Sequence, residues 1–241
     1  MDANTSVEGA GGESGTTGGI LRWLLRVGVF TLILAASLLL SSSRLDWVMA
    51  WVYIGIYIAA QVVTALVLIP KSPELLAERA QSEGPRDLDR VLAGIMALFG
   101  PVAMWAVAGL DVRWEWSSLM PLALQVVALA IVMLGSLLTI WAMASNEFFY
   151  GVLRVEKDRG HTTATGGPYR YVRHPGYAGA IVFDLATPVA LGSLWALLPA
   201  ALTVCAIVVR TALEDKALRE QLEGYKEYAQ QTRYRLLPGI W

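Results

Sequence analysis

Charge is what this chain has least of. Only 16% of its 241 residues are Asp, Glu, Lys or Arg, against roughly 25% in a soluble domain, and that deficit excludes an ordinary water-soluble globule. Basic and acidic residues number 19 and 20, so the broad basic surface of a nucleic-acid binder is absent and no nucleic-acid partner is expected. One cysteine, Cys205, sits in an apolar run, which excludes an intrachain disulfide framework and a Cys/His zinc spacing; no metal site is expected. Histidine occurs twice, at His161 and His174. What the chain has instead is hydrophobic length: 56% apolar residues, nine tryptophans and a mean hydropathy of +0.51. Its solvent is a bilayer.

Residues 1–19 contain six glycines, three acids and no aromatic residue. A segment so poor in apolar surface cannot offset the cost of ordering it, and a disordered tail is expected. It does not read as a signal peptide, because it is acidic where a basic region is required.

A spanning helix needs about 20 apolar residues. Uncharged runs cover 27–43, 47–70, 91–110 and 116–146, with Pro101 a predicted kink in the third. A fifth run, 175–209, holds one acid, Asp184. As one helix it would measure roughly 50 Å. Pro188, Gly192, Ser193 and Pro199 predict a break into two helices, about 176–191 and 194–211. The expected fold is all-α: a polytopic transmembrane bundle of about six helices. Beyond Arg210, the spacing of Leu213, Ala217, Leu218, Leu222 and Tyr225 predicts that the last helix leaves the membrane as an amphipathic cytosolic helix, to about Gly224. The ending, with its apolar residues and Trp241, is expected to dock back on the protein or the interface.

The distribution of charge supports this count. Seventeen of the nineteen lysines and arginines fall in segments on one predicted side, leaving only Arg44 and Arg113 on the other. The positive-inside bias then predicts both termini in the cytoplasm. The loop 71–90, of mixed sign, is expected to form a short amphipathic interfacial helix.

Chemistry concentrates in Gly167-Pro-Tyr-Arg-Tyr-Val-Arg-His-Pro-Gly-Tyr177, just ahead of the fifth apolar run. Proline disfavours helix at the residue before it, so His174 should be extended and a helix should begin at or just after Pro175. The free N–H groups of such a first turn suit an anion. Arg210 and Glu214 stand four apart on one helical face, and a plain intrahelical ion pair is the simplest expectation for them. Asp184, an acid inside a span, is costly there and must face protein, a partner or water. Its role is left open between structural and functional.

The stretch 167–177, followed by Arg210-x-x-x-Glu214-Asp215 and Gly224-Tyr-x-x-Tyr228, resembles the isoprenylcysteine carboxyl methyltransferase family, integral-membrane enzymes related to the phospholipid N-methyltransferases. Pro73-Glu-Leu-Leu-Ala-Glu-Arg79 and the Arg-Leu-Leu-Pro-Gly-Ile-Trp ending are similar to prokaryotic members. The expected organisation is a disordered tail (1–19), four N-terminal membrane helices with an interfacial loop (20–144) and, by the resemblance, a catalytic half (145–241). The tail and the six-helix layout differ from the eight-helix eukaryotic enzymes. The resemblance implies a multi-pass protein of a prokaryotic plasma membrane, with its active site facing the cytoplasm.

S-adenosyl-L-methionine is the implied cofactor. Its implied contacts are His161, Thr162, Thr163, Ala164, Tyr169, His174, Pro175, Gly176, Tyr177 and Glu214. Arg210 is implied near the methyl acceptor, and Arg210 and Glu214 carry the implied catalytic roles. The implied partners are membrane lipids and a lipophilic small molecule or prenylated peptide whose carboxylate receives the methyl group. Three positions depart from the family pattern: Arg154 stands where eukaryotic members tend to have glutamine, Asp215 replaces a frequent glutamate, and Gly176 leaves a variable position without a side chain. The alternatives are a phospholipid or amine N-methyltransferase, a membrane reductase using NADPH, and a non-enzymatic membrane protein. For NADPH, Gly166-Gly167 is a weak phosphate cradle; for a transporter, no internal repeat is visible.

Overall fold

The computed structural model describes residues 6–73, 75, 87–149 and 161–241, and among these every regular element is helical. α1 spans Ser6–Ser42 and α2 Val48–Lys71. A short α3, Asp87–Gly94, passes through a π-helical turn, Ile95–Phe99, into α4, Gly100–Trp114. α5 is Leu122–Ala144, α6 Pro175–Ala190, α7 Leu197–Gln221 and α8 Tyr225–Gln231.

Two expectations change here. The described residues are helical from Ser6 on, inside the segment expected to be disordered; extending an existing helix costs far less than nucleating one, so the apolar part of α1 can carry glycine-rich turns ahead of it. Among the described residues, five helices are long and apolar enough to cross a membrane: Thr17–Ser42, Val48–Lys71, Leu88–Trp114, Leu122–Ala144 and Leu197–Gln221. The sixth, α6, has 16 residues, about 24 Å, short of the roughly 30 Å of hydrocarbon. It still runs the depth of the bundle. Residues of its first turns line a cavity at one end, and the turn after it reaches Asp111 at the other. The predicted break in the fifth apolar run falls at residues 191–196, and the last helix continues to Gln221, close to the expected Gly224.

Of the loop 71–90, residues 74 and 76–86 lie outside the described residues, as does Arg154. The predicted kink at Pro101 takes the form of the π-helical turn just before it. Proline has no N–H to donate and its ring crowds the carbonyl four residues back. The backbone N–H of Gly100 bonds Ile95 O, five residues back, and this wider turn steers α3 into α4.

α5 and α6 make the most extensive helix contact. Glycine permits it: a Cβ on Gly135 would lie 2.7 Å from Gly179 O, and one on Gly179 would lie 2.6 Å from Gly135 O. Small residues allow membrane helices to approach closely, where packing rather than water drives association. At mid-bundle Tyr53 of α2 shares a hydrogen bond with Thr187 of α6 at 3.2 Å, and Trp105 of α4 donates to the Tyr53 hydroxyl at 3.3 Å. Asp184, buried one turn before Thr187, lies among these helices rather than in the cavity wall.

The two ends of the bundle differ. At one, Asp111 accepts from Ser117 N at 2.7 Å, Ser117 Oγ at 2.6 Å and Ser193 Oγ at 2.5 Å. This ties the end of α4 to the turn between α6 and α7. At the other, Trp23 of α1 packs with Leu68, Leu75, Ile140 and Met143. The cavity opens there, beside α8 and the docked C-terminal segment.

Candidate functional site

Three pieces of local chemistry shape the cavity end. Gly167 takes a left-handed φ of +56°, which opens the single 3-10 turn Gly167–Arg170 and sets Tyr169 inward. His174, at φ −126° and ψ 62°, is outside the helical region that a following proline disfavours, but it is not in the extended conformation expected. α6 then starts at Pro175, as the sequence predicts. The C-terminal segment runs alongside: Arg173 N donates to Tyr234 O and His174 N to Arg235 O, each at 2.9 Å. The ending folds back as expected, with Leu236 buried and the Arg235 guanidinium 4.8 Å from the Trp241 ring centre.

A cavity of about 340 Å³ results. His161, Thr162, Thr163, Ala164, Tyr169, His174, Gly176, Tyr177, Arg210 and Glu214 all line it. Pro175 does not; it is buried in the first turn of α6 and acts as the helix start. Two stretches distant in sequence, 161–177 and 210–214, therefore converge on one space. Asn146, Phe148 and Phe149 add to the wall, as do Leu218, Leu222, Tyr225 and Tyr228. Ala93, Met96 and Ala97 close it from α3 and the π-helical turn. The wall therefore draws on both the 20–144 and 145–241 segments.

Two adjacent acids divide the labour on α7. Asp215, buried, is a hub. Arg173 grips it with Nε at 2.6 Å and Nη2 at 3.2 Å, while its Nη1 donates to Thr232 O and Arg233 O. Arg219 Nε at 3.1 Å, Arg235 Nε at 3.0 Å and the Tyr225 hydroxyl at 3.0 Å complete the set. So satisfied a carboxylate binds α6, α7, α8 and the C-terminal segment together. Glu214 faces the cavity instead, where it accepts from the Tyr177 hydroxyl at 2.7 Å.

His174 sits between these acids, Nδ1 3.6 Å from Glu214 and Nε2 3.5 Å from Asp215. Burial by itself would lower its pKa, but the Asp215 and Glu214 carboxylates outweigh that and hold it above the ordinary imidazole value. Burial pushes the phenols of Tyr169 and Tyr225 well up, and that of Tyr228 up to about 12. All three are neutral hydrogen-bonding groups.

Arg210 has a partner beyond its own helix. It forms a buried ion pair with Asp89 of α3, Nε 3.1 Å from Oδ1, while the hydrogen bond that Glu214 accepts comes from Tyr177. Sequence reasoning missed Asp89, because it reads there as one more charge at the end of a mixed-sign loop. It also gave Asp215 and Arg173 no joint role. Tyr225 and Tyr228 were visible in the Gly224-Tyr-x-x-Tyr228 pattern, though not as cavity wall. At one edge the Phe148 ring stacks on His161 with centroids 4.3 Å apart and planes at 16°. That platform suits a flat heteroaromatic ring.

No curated protein matches the chain. Residues 127–220, which run from α5 to the end of α7 and include the whole motif from Gly167 to Asp215, match the model of the Isoprenylcysteine carboxyl methyltransferase (ICMT) family, and over that stretch the chain is similar to this family.

Proposed function

We propose that this protein uses S-adenosyl-L-methionine to methylate the carboxylate of a lipophilic acceptor of the isoprenylcysteine kind. The observation that carries the reading is the cavity itself. One small space brings a carboxylate held by Tyr177 and an arginine held by Asp89 to the end of an apolar bundle.

The residues present fit the cofactor. The cavity volume lies in the range of small-molecule sites, about 300–1,000 Å³, and its wall is largely apolar and aromatic with few polar groups. The Phe148–His161 stack offers a face for an adenine, and Thr162 and Thr163 offer hydroxyls. Glu214 provides a carboxylate for the ammonium of the amino-acid part. The cofactor supplies, when bound, a sulfonium methyl that passes to a carboxylate oxygen as the C–O bond forms and the C–S bond breaks, leaving a neutral ester and a neutral thioether.

A carboxylate acceptor is ionised at neutral pH, so no general base is required of the chain. Its residues contribute orientation and exclusion of water. Arg210 holds the acceptor carboxylate, Glu214 and Tyr177 set the cofactor end, and Ala93, Met96, Ala97 and Ala180 face the lipid tail. The cavity opens on the end that collects most of the basic residues, and the positive-inside bias assigns that end to the cytoplasm.

The test is calorimetric binding of S-adenosylhomocysteine to detergent-purified protein, wild type beside Glu214→Ala and His174→Ala. Methylation is then assayed with N-acetyl-S-farnesylcysteine and phosphatidylethanolamine in parallel. Saturable binding weakened in both variants, with the prenylcysteine preferred, supports the reading. Preference for the lipid amine would move the acceptor class to amines, and absence of binding by folded wild type would sink the methyltransferase reading.

A further inference from the structure

We infer that Asp89 is a positioning residue that fixes Arg210 toward the acceptor, so that acceptor recognition depends on a helix outside the family-matched stretch. This rests on the methyltransferase reading above.

Arg210 lines the cavity, whereas Asp89 does not. Asp89 sits in α3 and makes a buried ion pair with Arg210, Oδ1 3.1 Å from Nε, close in distance but without hydrogen-bond geometry at Nε. An arginine has many rotamers and gains directional strength only when its fork is held. Here the neighbouring acid on its own helix, Glu214, is engaged by Tyr177. A buried acid that pairs with Arg210 comes from 121 positions earlier in the chain. Without it, the nearest carboxylate along the same helical face is Glu214, and a guanidinium turned toward Glu214 would leave the acceptor side.

The same segment shapes the space next to Arg210. Ala93 stands one turn after Asp89, and Met96 and Ala97 belong to the π-helical turn that follows. Such turns concentrate at functional sites because they displace side chains from the regular helical register. α3 and this turn thus supply a charge that orients Arg210 and an apolar wall beside it. Those two features suit one acceptor chemistry, an anionic group on an apolar chain.

The experiment compares wild type, D89N, D89E, R210Q and the D89N/R210Q double variant in detergent. It reads the acceptor KM and kcat with whichever of N-acetyl-S-farnesylcysteine and phosphatidylethanolamine the wild type methylates faster, together with S-adenosylhomocysteine Kd and melting temperature. D89N should raise the acceptor KM about tenfold, the scale of one charge-assisted contact, and leave the S-adenosylhomocysteine Kd within about threefold. D89E should recover part of the loss, and D89N should add nothing in the R210Q background. An unchanged acceptor KM in D89N would overturn the inference while the methyltransferase reading stands. So would parallel loss of cofactor-product binding and acceptor binding without recovery in D89E, which marks a purely structural residue. Failure of the wild type to bind S-adenosylhomocysteine would overturn both.

Discussion

The Tyr177 hydroxyl donates to Oε2 of Glu214 at 2.7 Å, joining the first turn of α6 to α7 across the cavity. Tyr177 belongs to the motif that opens the fifth apolar run, and Glu214 lies 37 positions later. The bond fixes the direction of the only one of the two adjacent acids that faces the cavity. Tyr177→Phe should leave the fold intact and weaken S-adenosylhomocysteine binding about tenfold, as expected for one hydrogen bond to a charged group. Calorimetry decides it: an unchanged Kd would mean that Glu214 is oriented by something else.

The Arg173–Asp215 pair is buried on both sides. Removing one partner of such a pair leaves an uncompensated charge and costs about 3–5 kcal/mol. Asp215→Asn strands Arg173 and also releases Arg219 and Arg235. A large fall in melting temperature is therefore expected, with loss of cofactor-product binding as a consequence of disorder at α8 and the C-terminal segment. Arg219→Ala, half exposed, should cost little. Equal effects from the two variants would show that the hub is not where the stability resides.

His174 gives the fold a pH dependence with a definite sign. It is faced by Glu214 and Asp215 of α7, by Tyr225 of α8 and by Tyr177 of its own helix. Its folded-state pKa lies above the unfolded value, which is about 6.5. The stabilisation is therefore complete below about pH 6.5 and is lost as pH rises through the folded-state pKa. Melting temperatures of wild type and His174→Gln, measured from pH 6 to pH 9, should converge at the alkaline end. Parallel curves would show that the imidazolium contributes nothing.

Gly135 and Gly179 set the distance between α5 and α6. Alanine at either would place a methyl against a backbone carbonyl that cannot move aside. Gly135→Ala and Gly179→Ala should each destabilise by about 1–3 kcal/mol, the cost of overpacking, read as a drop in melting temperature in detergent. Gly28→Ala, where nothing lies within 4 Å, is the control and should be neutral or slightly stabilising.

Much of the cavity wall was legible before any coordinates. The run from Gly167 to Tyr177 carries its own instructions, since proline keeps His174 out of the helix and sets the helix start at Pro175. Arg210 and Glu214 share a face by helical spacing alone, and both reach the cavity. What spacing could not supply was the partner of each. Spacing along α7 did not show that Asp89 pairs with Arg210 or that Tyr177 donates to Glu214. Both are contacts between helices, and no period along one helix encodes them.

The membrane class and the break in the fifth apolar run followed from the sequence by itself, because hydrocarbon thickness and proline chemistry act on short stretches of chain. The count of six spans did not hold in full: five of the described helices are long and apolar enough to cross a membrane, and α6, at 16 residues, is shorter and packs extensively on α5. Tertiary structure alone decided that Asp215 is a buried hub while its neighbour Glu214 faces the cavity. Neighbouring positions on a helix point about 100° apart, and only the packing of α6, α8 and the C-terminal segment around α7 determines which direction is core and which is cavity.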